Sequence, residues 1–135
     1  MGWTIVNVLV PIFAPLLVLL FFRLFPFPAS TRRYLHWTTP IKDGQVAWVA
    51  LAFNAASAYD LMSAKEEMVG RGWVLGGLIV LTVANVLIAG LGGVFPVDSE
   101  PPEGTSPWRH YRAMSVSAWL TLLSAFMFIG VHFLA

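Results

Sequence analysis

The chain contains no cysteine, which excludes disulfides, thiolate metal centres, thioester chemistry, covalent haem attachment and lipidated cysteines. Charge is nearly as scarce. Asp, Glu, Lys and Arg make up 11% of the 135 residues, against about a quarter in ordinary water-soluble domains. Eight basic and seven acidic residues leave a net charge of +1. The chain therefore offers neither a basic face for a phosphate backbone nor an acidic tail, and nucleic acid is not an expected partner. It also carries no HExxH, GxSxG, P-loop or Gly-rich dinucleotide turn, so the common hydrolytic and nucleotide-binding chemistries have no foothold in it.

What fills the chain is apolar: 58% of residues are hydrophobic and the mean hydropathy is +0.75. The few charges are also segregated. None occurs between Met1 and Arg23, Gly44 and Tyr59, Gly72 and Val97, or Ala113 and Ala135. The first, third and last of these runs exceed the ~20 residues that a helix needs to cross ~30 Å of hydrocarbon. The second reaches that length only if Asp60 is admitted near its end. Backbone groups in lipid must be satisfied within the segment, and these runs lack the alternation of a barrel strand, so helices are expected. The expected fold is all-α: one four-helix transmembrane bundle over residues 1–135, with spans at about 3–22, 44–64, 72–95 and 113–134.

The first run, WTIVNVLVPIFAPLLVLLFF, has no basic residue ahead of it and no small-x-small cleavage pattern at a sensible distance after it, so it reads as a retained helix rather than a signal peptide. Pro11 and Pro15 each remove a backbone donor and should bend it. With four spans, both termini and the loop around residues 64–72 share one side. The two longer loops carry Arg23, Arg32, Arg33, Lys42, Arg109 and Arg112, against Lys65 and Arg71 on the terminal side. Basic residues are retained on the cytoplasmic side, which predicts a bacterial inner (plasma) membrane protein with both termini outside the cytoplasm. Trp3 and Trp73 fall at one interface and Trp37, Trp48 and Trp108 near the other, as aromatic belts require. Arg32, Arg33, Arg109 and Arg112 are the interfacial basic candidates, placed to meet anionic headgroups. The loop DSEPPEGTSPWRHYR reads as a linker or an ordered turn.

Polar groups inside the apolar runs are the candidate site residues. In the second run, Ala52, Ala56 and Asp60 recur every four residues with Ala55 and Tyr59 beside them, which predicts a small face ending in polar groups and packed on another helix. In the third, Asn85, Ala89 and Gly93 form a stripe. In the fourth, Ser117, Thr121 and Ser124 do. Asn54 lies about 120° around its helix from Asp60, so the two address different neighbours and are no catalytic pair. Three such stripes imply a shared seam in which Asn54, Asn85 and the hydroxyls bond between helices, while Asp60 reaches water or Lys65 near the outer interface. The GLGG of residues 90–93 reads as a packing or hinge feature. His36 and His110 are expected at the cytoplasmic interface and His132 at the other end, so they cannot share a haem or quinone site. Their spacing matches no zinc pattern either, and no metal or cofactor is expected.

The function these features favour is that of a small polytopic protein without catalytic activity, in the lipid bilayer, that binds another membrane protein. An accessory or assembly subunit, or an immunity-type protein against a membrane-acting toxin, would fit. The alternative is a homo-oligomeric channel, holin-like pore or small-solute carrier that turns Asn54, Asp60, Ser117, Thr121 and Ser124 toward a lumen. A third reading is a lipid-acting enzyme using His36, Arg109 and His110 at the headgroups.

Overall fold

The computed structural model describes residues 2–24, 38, 41–64, 69–97 and 101–134. Among them every regular element is a helix. The chain begins with α1 (Gly2–Thr4), a π-helical stretch (Ile5–Leu9) and α2 (Val10–Arg23), which follow one another without a break. Then come α3 (Ala47–Ser63), α4 (Arg71–Val94), the short α5 (Pro107–His110) and α6 (Arg112–Leu134). Helices α4 and α6 are each long and apolar enough to cross a membrane.

The π-helical stretch has a cause in the sequence. Pro11 has no N–H to give to the carbonyl four residues back, and its ring crowds that carbonyl. The ladder just upstream widens accordingly: the Val10 amide bonds the Ile5 carbonyl, five residues back. The Asn7 side chain bonds the Trp3 carbonyl at 2.9 Å within the same stretch. The helix thus carries a widened turn ahead of Pro11, and Pro15 lies inside α2.

Helices α3, α4 and α6 form the core, with α3 and α6 the most closely associated pair. Their buried positions repeat at heptad spacing, as in packed helical bundles. At one end Leu61, Leu78 and Val131 form a buried cluster. Two turns along each helix lie Asn54, Asn85 and Ser124, and two turns further Ala47, Gly92 and Ser117; all six are buried. Because α4 counts up along this series while α3 and α6 count down, α4 runs antiparallel to both. The N-terminal segment is peripheral. Val8 is its one buried residue among those described, and it joins Phe53, Ala125 and Phe128, with Trp3 and Ile12 against them.

Helix α3 turns a different face inward from the one its alanine spacing suggests. Ala47, Ala50, Phe53, Asn54, Ser57 and Leu61 are buried, whereas Ala52 and Ala55 are exposed and Ala56 is half-buried. Alanines every four residues fit a close contact but do not require one. The buried face is the one that also carries Phe53 and Leu61, whose area outweighs that of three methyls. In α4, similarly, Gly92 rather than Gly93 completes the stripe of Asn85 and Ala89.

The segment ahead of α3 clasps the end of α4. Gly44, at φ +76°, lets the chain turn where other residues are strained. The Asp43 carboxylate accepts a hydrogen bond from the Val97 amide at 2.8 Å, and the Lys42 ammonium donates to the Val97 carbonyl. A Cβ on Gly92 would collide with the Asp43 carbonyl, so only glycine permits this approach. Both backbone polar groups of Val97, just beyond the end of α4, are thereby satisfied by side chains.

Candidate functional site

The polar side chains fall into two groups, one inside the three-helix core and one at its end. Inside, Ser117, Thr121 and Ser124 line the inner face of α6, with Asn85 opposite and Asn54 and Ser57 on α3, all buried. Most hydroxyls bond back to their own helix. Ser57 donates to the Phe53 carbonyl at 2.8 Å, Ser117 to Met114 at 3.0 Å and Thr121 to Ser117 at 2.7 Å. Such back-bonds quiet a hydroxyl in an apolar interior.

Two contacts cross between elements. The Thr121 hydroxyl also lies 3.2 Å from the Val46 carbonyl at the start of α3. The Asn85 amide nitrogen donates to its own Leu81 carbonyl at 2.8 Å and to Ser124 Oγ at 3.3 Å. The Leu81 bond fixes which way the Asn85 amide points, since only its nitrogen can donate to a carbonyl. Among the described residues Asn85 Oδ1 has no hydrogen-bond partner, nor has either polar atom of Asn54.

At the other group, His132 Nδ1 lies 3.1 Å from Asp60 Oδ2. The imidazole is also stacked on the Trp3 indole, with ring centroids 3.7 Å apart and planes 5° from parallel. Phe128 lies 5.0 Å from the same indole, and Phe133 stands edge-on to the imidazole at 5.4 Å. The start of the N-terminal segment, the end of α3 and the end of α6 therefore meet here. Asp60 is only partly exposed, at 28% of its side chain, and His132 at 35%.

Of the residues singled out in the sequence, the core encloses Asn85, Ser117, Thr121 and Ser124, with Asn54 on α3 at the level of Asn85 and Ser124. Tyr59 stands apart, 72% exposed on the outer face of α3. Asp60 pairs with His132; Lys65 lies outside the described residues, as do Arg32, Arg33 and His36. Arg109 and Arg112 are exposed around α5 and the start of α6, and Ser115 Oγ bonds the Trp108 carbonyl there.

Sequence reasoning missed the Asp60–His132 pair and its indole lid, because 72 residues separate the two partners and no local pattern links them. It also missed the Lys42–Asp43 clasp, whose only local signal is the glycine that follows. No group of three or more His, Cys, Asp or Glu side chains converges among the described residues, and the Asp60–His132 pair offers two prospective ligands at most. Compared with known proteins, the chain matches no protein family, no curated protein and no solved structure.

Proposed function

We propose that the chain is a four-span membrane bundle of a bacterial inner membrane that works by binding another membrane protein, as an accessory, assembly or immunity-type subunit. The observation that carries this reading is the distribution of polarity. Asn54, Ser57, Asn85, Ser117, Thr121 and Ser124 are turned into the interior of a single chain, while Phe13, Leu20, Val80, Leu87, Trp119 and Phe126 are exposed. An outer surface of that kind is uncommon on a water-soluble monomer and normal against lipid. The lengths of α4 and α6 support two of the crossings. The 17 residues of α3 span about 25 Å, and the turns over 41–46 extend it. The N-terminal segment runs 2–23.

The same distribution argues against a pore between copies, which needs hydrogen-bonding groups on the outer face of each subunit. A subunit that presents apolar faces and keeps its polar chemistry inside is suited to docking within the bilayer. Vesicle flux and site-directed photocrosslinking test the proposal together. Vesicles containing the purified protein should conduct protons and potassium no better than empty ones. A photoreactive side chain at Tyr59 or Trp119, in cells that make the protein, should trap one discrete membrane protein. Flux that Asp60→Asn or Thr121→Val alters would replace this reading with the pore or carrier.

A further inference from the structure

The heptad register places Asn54, Asn85 and Ser124 at the same level, two turns from the Leu61–Leu78–Val131 cluster and two turns from the buried Ala47, Gly92 and Ser117. The direct Asn85–Ser124 bond fixes the α4–α6 part of this alignment, and the Leu61–Leu78–Val131 cluster ties α3 to both helices two turns away. The level is fully enclosed: Asn54 is 2% exposed and Asn85 and Ser124 are at 0%. A lipid headgroup or a partner chain therefore has no access to it.

Three polar atoms of this level have no hydrogen-bond partner among the described residues: Asn54 Nδ2, Asn54 Oδ1 and Asn85 Oδ1. Their inventory is one donor group and two acceptors. Turning over the Asn54 amide leaves it unchanged, and the Leu81 carbonyl holds the Asn85 amide in its present sense. A direct Asn54–Asn85 amide bond would join Nδ2 to the Asn85 oxygen and still strand the Asn54 oxygen. A cation would suit the two oxygens but face the Asn54 amide hydrogens. An anion would suit the hydrogens but face two oxygens. No carboxylate or ammonium among the described residues is buried in the core to balance either charge. Water both donates two hydrogen bonds and accepts them, and it matches this mixed, neutral set.

We infer that the Asn54–Asn85–Ser124 level is an internal hydration site, holding water between α3, α4 and α6 at the middle of the core. This inference concerns the interior of one chain and does not depend on which partner the outer faces meet. Buried amides left bare are rare because each carries its full desolvation cost, and water lodged among them removes that cost.

Water-edited solid-state NMR of the full chain in lipid vesicles, with asparagine side-chain amides labelled, tests the site. Magnetisation should pass from water to the side-chain amides of Asn54 and Asn85, and not to the backbone amide of Leu61 or Leu78 two turns away. Transfer that reaches exposed Val69 but neither asparagine overturns the inference. Thermal unfolding gives a second readout. Asn54→Leu should lower the midpoint by several degrees, because it strips the water and the Asn85 oxygen of a partner. A midpoint raised by Asn54→Leu would mean that the level is dry and the amide merely strained, and would also overturn the inference.

Discussion

Gly92 shows how one missing methyl sets a contact between distant segments. Its bare Cα lets the Asp43 carbonyl lie against α4, where a Cβ would overlap backbone atoms that cannot swing aside. Gly92→Ala should therefore cost about 2–4 kcal/mol through overpacking and displacement of the clasp, more than a side-chain clash that can relax. Gly93→Ala, one residue on, meets open space and should be neutral or stabilise by about 0.5–1 kcal/mol through helix propensity. Thermal unfolding followed by circular dichroism distinguishes the two. The GLGG pattern announced a packing role, but nothing in it marked which glycine carries the contact, because that depends on where Asp43 arrives from another segment. Asn85, Ser117, Thr121 and Ser124 were legible because their spacing repeats with the helix period. His132 was not, since its partner is fixed by the meeting of the N-terminal segment with the ends of α3 and α6. The Asp60–His132 pair is partly exposed, so Asp60→Asn should lower stability by no more than about 1 kcal/mol.

The helices differ in how firmly they are held. Helices α3, α4 and α6 share successive buried levels, whereas the N-terminal segment buries Val8 and leans Trp3 and Ile12 on its neighbours. Regions with few buried contacts open at lower free energy than the core. Trp3→Ala removes the imidazole stack and the contact with Phe128, and should speed backbone hydrogen exchange through residues 2–9 while leaving α3, α4 and α6 protected. Exchange that rises equally in all helices would show that the segment is integral to the core. The composition of each helix could be read from the apolar runs, but the inward face of α3 could not. Its alanine stripe and its Ala50–Asn54–Ser57–Leu61 face both have helical period, and choosing between them requires knowing that Leu61 meets Leu78 and Val131.

At the scale of the whole molecule, the proposal is that the chain threads a bilayer four times, with the buried polar side chains of α3, α4 and α6 turned into one core. The helical class follows from apolar runs too long and too continuous for strands, and α4 and α6 have the length and composition to cross. Sidedness depends on a basic-residue count that includes Arg32, Arg33 and Lys65, outside the described residues. The absence of native cysteine makes the direct measurement clean: single cysteines placed at Gly2, Val69, Thr105 and Leu87, probed in intact cells with a membrane-impermeant maleimide. The account predicts labelling at Gly2 and Val69 from outside, at Thr105 only after the membrane is opened, and none at Leu87. Gly2 and Val69 reacting from opposite sides, or Leu87 reacting as readily as Val69, would contradict it.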